Sequence, residues 1–117
     1  MDPGELAANA RRAMSLLKAL ANEKRLQVLC LLLAGERSVG DLEAQVGLSQ
    51  SALSQHLARL RADGLVATRR QAQTIHYRMA SDEAKALIET LYALYCGPSQ
   101  NAAQTVRKNR KRAPLGV

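Results

Sequence analysis

Phenylalanine and tryptophan are absent from this 117-residue chain, and three tyrosines supply all of its aromatic rings. A core built without them has to be assembled from Leu, Ala, Val and Ile, a composition that suits packed helices. No run of about 20 apolar residues occurs, which excludes a transmembrane helix. The opening Met1-Asp2-Pro3-Gly4-Glu5 lacks the basic-then-apolar order of a secretory leader, so the chain reads as cytoplasmic. Imidazoles are confined to His56 and His76, and thiols to Cys30 and Cys96. They make no zinc-spaced cluster, no C-x-x-C and no Cys-His-acid constellation, which counts against a redox enzyme and against a resident metal or cofactor.

Charge is uneven. The formal net charge is +7, yet residues 97–117 hold Arg107, Lys108, Arg110, Lys111 and Arg112 with no acid. The first 96 residues carry the other twelve basic side chains against all ten acidic ones and are close to balanced. This predicts one domain over 1–96 and a basic tail over 97–117, disordered in isolation. The tail either adds salt-sensitive attraction to phosphates or serves only solubility.

The most informative stretch is Ser49 to Val66. Leu53, Leu57, Leu60 and Gly64 recur as the stripe of a helix lying on a core. At 100° per residue, Ser51, Gln55, Ala58 and Ala62 fall on the opposite side, flanked by Ser54 and Arg59. That face is short, polar and uncharged at its start, where ordinary solvent faces carry Glu and Lys. Gln can bond adenine bidentately, Ser suits several base edges, and small residues let the backbone approach a groove floor. Ser49 is a good N-cap and Gly64 a natural stop. The preceding Ser38–Leu48 has its own cap in Ser38, a carboxylate at Asp41 and a terminating Gly47. Two helices joined by a tight glycine turn make a helix-turn-helix whose second helix reads DNA. The bland alternative is a helical hairpin in a small bundle.

Helical spacing predicts a first helix from Glu5 to about Ala21 and a second from Asn22 to Ala34, with Leu26, Leu29, Cys30 and Leu33 on one side. Leu65–Arg70 and Thr74–Met79 read as two strands joined by Gln71-Ala72-Gln73 and decorated by Arg69, Arg70 and Arg78. Ser81 caps a last helix that runs to about Cys96 before Gly97-Pro98. The fold class is therefore mainly α with a small β-hairpin, a winged helix-turn-helix in the order α-α-α-α-β-β-α. Candidate DNA contacts are Ser49, Gln50, Ser51, Ser54, Gln55 and Arg59 on the reading helix, and Arg69 and Arg70 toward phosphates from the wing. Solvated strand ends are the alternative for the wing arginines. The last helix carries Ala84, Ile88, Leu91, Tyr92 and Tyr95 on one side and Leu87 and Leu94 on another. Pairing with the first helix of a second copy buries that surface. It also presents two reading helices roughly 34 Å apart to an imperfect inverted repeat.

The string Ala19-Leu20-Ala21-Asn22-Glu23-Lys24-Arg25-Leu26, followed by Leu48-Ser49-Gln50-Ser51-Ala52-Leu53-Ser54-Gln55-His56-Leu57 and the Gly64-Leu65-Val66 entry to the wing, resembles the ArsR family of winged-helix transcription regulators over about residues 10–96. The resemblance implies a homodimeric repressor released from double-stranded DNA by an inducer, often a metal ion. Ser38 stands where members sensing thiophilic metals place a cysteine, and the last helix has Asp82 and Glu83 but no His where zinc sensors place ligands. His56 falls at the margin of the core face and reads as packed, and His76 as exposed.

By residue chemistry alone Cys30, inside Leu29-Cys30-Leu31-Leu32-Leu33, reads as a small hydrophobe, while Cys96 beside Gly97-Pro98 is harder to place in a core. The chain looks most like the branch that includes the HlyU, SqrR and BigR regulators. That resemblance implies a sensing dithiol, Cys30 with Cys96, linked by reactive sulfur species or oxidants as a disulfide or polysulfide. A helix C-terminus disfavours an anion at Cys96, so thiolate formation there needs help from tertiary neighbours. A metal-responsive repressor, a regulator with purely structural cysteines and a protein-interaction module remain as alternatives.

Overall fold

Asp2 opens the first helix, α1 (Pro3–Leu20), its carboxylate accepting the Glu5 N–H at 2.9 Å. Pro3 then occupies the first turn, where a missing N–H costs nothing. The computed structural model describes residues 2–97. The chain forms two units, Met1–Lys85 and Ala86–Val117. The expected basic tail, apart from Gly97, lies outside the described residues.

Ser38, Ser49 and Ser81 start later helices as the sequence nominates, while Asn22, expected as the first residue of the second helix, is instead its cap. Asn22 caps α2 (Glu23–Leu33) through the Arg25 N–H, and Ser38 caps α3 (Val39–Val46) through the Asp41 N–H. Ser49 caps α4 (Gln50–Ala62) through the Ala52 N–H, and Ser81 receives the Ala84 N–H at the start of α5 (Asp82–Cys96). The C-termini are served by side chains of α2. Arg25 donates to the Ala19 and Lys18 carbonyls at 2.7 and 3.2 Å, and Lys24 to the Val46 carbonyl at 2.8 Å. Carbonyls that lack intrahelical partners at the ends of α1 and α3 are thereby satisfied by two adjacent cations.

The end of α4 shows why Gly64 is a glycine. Its φ is +75°, its N–H bonds the Arg61 carbonyl at 3.0 Å, and the Leu65 N–H bonds the Leu60 carbonyl at 2.9 Å. This is a Schellman closure, completed by burial of both Leu60 and Leu65. It turns the chain into β2 (Val66–Gln71), which pairs antiparallel with β3 (Thr74–Met79). The connection is the two residues Ala72-Gln73, shorter than the sequence suggests, with Ala72 at φ +55°.

The sheet has a third strand that periodicity does not show: β1 (Arg37–Ser38) pairs with β3 in the register Arg37 with Tyr77 and Ser38 with His76. The order β1-β3-β2 makes β3 central. This corrects the reading of His76, whose side chain is only 22% exposed because it is flanked by Ser38 on one side and Arg69 on the other. His56 is half-buried, in accord with its place at the margin of the core face.

In the first unit the core is aliphatic throughout: Leu29, Leu42, Leu53, Leu57, Leu60 and Val28 are buried. On α2 the buried face is Val28, Leu29 and Leu32, turned from the expected one, so Cys30 and Leu33 are half-buried. Along α1 only Ala19 and Leu20 are buried, and Leu6, Met14 and Leu17 are exposed. In the second unit Tyr92, Leu94 and Tyr95 are exposed. No described helix is long and apolar enough to cross a membrane.

Two backbone substitutions test the turns. Gly64→Ala forces a side chain into the left-handed region and is expected to lower unfolding stability by about 1 kcal/mol. Ala72→Gly removes that strain from the hairpin and is expected to raise stability by up to about 1 kcal/mol. Urea midpoints at constant slope read both, and equal shifts of one sign contradict the assignment.

Candidate DNA-binding face and the two thiols

Burial of Leu53, Leu57 and Leu60 fixes the rotation of α4 about its axis, and the opposite side is left in solvent. Ser49, Gln50, Ser51, Ser54 and Gln55 are all exposed on or beside it. The Ser49 oxygen is engaged by its capping bond at 3.3 Å, while its hydroxyl proton is still available to donate. The side chains of Gln50, Ser51, Ser54 and Gln55 have no hydrogen-bond partner among the described residues. A row of unsatisfied amide and hydroxyl groups on a rigid helix can exchange hydrogen bonds with base edges without first breaking internal ones.

The nominated arginines divide. Arg59 is exposed but gives its Nε to Asp63 at 2.8 Å, an i,i+4 pair legible in the sequence. Arg69 binds Glu36, with Nη2 at 2.7 Å and Nε at 2.8 Å from Oε1. Glu36 stands in the turn before β1, 33 residues away in sequence, and nothing in the sequence announces the pair. The Arg69 guanidinium holds the Glu36 carboxyl below its usual range, and Glu36 raises Arg69 in return. The imidazole Nδ1 of His76 lies 4.0 Å from the same carboxylate. Arg70, on the opposite face of β2 to Arg69, is exposed and has no partner among the described residues.

Sequence reasoning passed over two further groups near the reading helix. Arg61 and Tyr77 line an open groove of about 420 Å³ together with Ser54, Ala58 and Ala62. The helical angle of Arg61 was available from the sequence, but the approach of β3 to α4 was not.

The two cysteines occupy different settings. Cys30 is half-buried in α2, next to the buried Leu29, and Cys96 is exposed as the last residue of α5. Among the described residues no group of three or more His, Cys, Asp or Glu side chains could hold a metal ion.

Comparison with known proteins agrees with this architecture. Residues 22–68, from the Asn22 cap into β2, match the model of the bacterial regulatory protein family arsR. The transcriptional activator HlyU of Vibrio cholerae is 57% identical over 100 residues, covering 86% of this chain and 93% of its own. The crystal structure of the transcriptional repressor BigR from Xylella fastidiosa is 41% identical, with a TM-score of 0.74 over 82% of this chain and 98% of that one. A homodimeric winged helix-turn-helix DNA-binding domain from Mycobacterium bovis is 32% identical, with a TM-score of 0.68 over 80% and 85% of the two chains. These relatives are transcription regulators rather than enzymes. The chain is a member of the ArsR family of winged helix-turn-helix transcription regulators.

Proposed function

We propose that this regulator binds an imperfect inverted repeat in double-stranded DNA as a cytoplasmic homodimer, acts as a repressor, and is released when reactive sulfur species or an oxidant link Cys30 to Cys96. The observation that carries the DNA half is the exposed row Gln50, Ser51, Ser54 and Gln55, without internal partners among the described residues, on a helix whose rotation is fixed by three buried leucines. Ser49 adds a donor at the helix start. Arg70 supplies an open charge on the wing, and Arg59 and Arg69 contribute charges already shared with Asp63 and Glu36. Dimerisation is supported by the exposed Leu6, Met14 and Leu17 of α1 and Tyr92, Leu94 and Tyr95 of α5, and by the homodimeric relative. Residues 1–96 then form the DNA-binding and dimerisation domain, and the basic tail adds attraction to phosphates.

The sensing half rests on one thiol in α2 and one at the end of α5, in a chain whose described residues hold no metal-ligating cluster. In the oxidative route the two thiols lose two protons and two electrons, which a peroxide takes up as it becomes water. With a persulfide donor, one thiolate takes the outer sulfur and releases the donor thiol. The second thiolate then closes the bridge by displacing hydrogen sulfide. A bridge that retains extra sulfur atoms is the alternative product. A tether between α2 and α5 alters the spacing of the two reading helices. Affinity falls because both half-sites have to be met together.

A duplex enriched from a random-sequence pool by the untreated protein supplies the probe for two tests. Gln55→Ala and Ser54→Ala are each expected to lower discrimination between this duplex and a mixed-sequence one by about 1–3 kcal/mol for each base that is no longer bonded. Unchanged discrimination in both removes the assigned reading face. In the second test, persulfide or peroxide treatment is expected to release the unmodified protein and leave a Cys30→Ser, Cys96→Ser double variant bound. Intact mass on the same samples identifies the bridge. Release of the double variant equal to that of the unmodified protein refutes dithiol sensing.

A further inference from the structure

The groove between α4 and the wing has a composition that two further clefts of the first unit lack. It is lined by Ser54, Ala58, Arg61 and Ala62 of α4 and by Tyr77 of β3. It contains no carboxylate. One neighbouring cleft, of about 290 Å³, sets Arg78 and Lys85 beside Glu36 and Asp82. Another, of about 420 Å³, sets Arg12 beside Asp63 and Glu83. Of these three, the groove that adjoins the reading face alone presents positive charge uncompensated by a carboxylate among its own lining residues.

The arginines of α4 point the same way. Arg59 and Arg61 are two residues apart, so they leave the helix roughly 200° around from each other. Arg59 goes to Asp63, whereas the Arg61 side chain is exposed and has no ion pair or hydrogen bond among the described residues. Arg61 lies seven residues from Ser54 and three from Ala58, which stacks the three along the strip of α4 that faces β3. Tyr77 is held in place by pairing with Thr68 on one side and Arg37 on the other. Its ring is half-buried, and it brings a phenolic donor to the groove.

Resting on the reading of α4 as the DNA-reading helix, we propose that this groove seats the sugar–phosphate backbone of the strand that passes between the reading helix and the wing. Arg61 pairs with a phosphate as a charge-assisted hydrogen-bond donor. The Tyr77 hydroxyl donates to the same phosphate or its neighbour, and the two alanines leave room for the backbone to approach the helix. Such contacts set register and depth without reading sequence, so Ser54, which lines the groove and also belongs to the reading face, is where positioning meets recognition. Arg61 and Tyr77 are positioning contacts for the reading face.

The test is the salt dependence of binding by the full chain. The probes are a mixed-sequence duplex of about 30 base pairs, long enough for two half-sites one turn apart, and the duplex enriched from a random pool. Arg61→Gln is expected to reduce the slope of log K against log salt by about 0.9 for each phosphate no longer neutralised, equally on both duplexes, with discrimination retained. Arg61→Lys is expected to restore the slope. Tyr77→Phe is expected to weaken both duplexes by the same few-fold factor at unchanged thermal stability. Arg11→Gln, which removes the same charge from exposed α1 away from its Leu6, Met14, Leu17 stripe, controls for net charge. If Arg61→Gln and Arg11→Gln change the slope alike, the groove is not a phosphate seat, whatever the status of the reading face. Loss of discrimination in Arg61→Gln at an unchanged slope assigns Arg61 to base contact and overturns the positioning role. If the unmodified protein shows no salt-dependent binding to either duplex, the reading of α4 fails and the groove assignment with it.

Discussion

Everything that α4 can offer to DNA depends on the burial of Leu53, Leu57 and Leu60. Each fully buried leucine contributes about 1.5–3 kcal/mol relative to exposure, and the three share one stripe, so rotating the helix exposes all of them together. A rotation large enough to carry Gln55 off the outward face therefore costs several times thermal energy. The polar row needs no internal hydrogen bonds to hold its direction, because the apolar stripe holds it from behind. This division lets the reading side chains remain unsatisfied within the protein and available to base edges. Groups bonded to one another would have to exchange partners on binding.

The ends of the helices carry the second constraint. Asn22-Glu23-Lys24-Arg25, part of the stretch that resembles the ArsR family, is the hub of the capping scheme. Asn22 starts α2, Arg25 closes α1, and Lys24 closes α3 through the Val46 carbonyl. Val46 is the last residue before the Gly47 turn that leads to Ser49 and α4. Lys24 thus ties α2 to the turn of the helix-turn-helix, and Arg25 ties the same helix to α1. In this chain Lys24 and Arg25 therefore act as a structural joint between helices.

Elements governed by local chemistry were legible in the chain. The caps Ser38, Ser49 and Ser81 act through N–H groups three residues on, and Gly64 meets a left-handed requirement that its own position signals. The leucine stripe of α4 could be read to the residue for the same reason. What could not be read depends on groups distant in sequence. β1 is two residues long, too short for any period, yet it makes β3 central and draws His76 out of solvent. The buried face of α2 is turned from expectation because that helix is apolar nearly all round, and its neighbours choose among its leucines. Glu36 and Arg69 meet across 33 positions, and Tyr77 meets the α4 groove by way of the sheet register.

Ion pairing also determines which basic groups can serve a polyanion. A phosphate contact releases counterions only to the extent that the cation was not already neutralised. Asp63 and Glu36 hold Arg59 and Arg69 in place, so those two give shape to the end of α4 and to the wing at some cost in free charge. Arg61 and Arg70 carry undivided charges, one beside the reading face and one on the hairpin. On the proposed reading of α4, specificity comes from uncharged Ser and Gln, rigidity from paired arginines, and phosphate attraction from those that are unpaired.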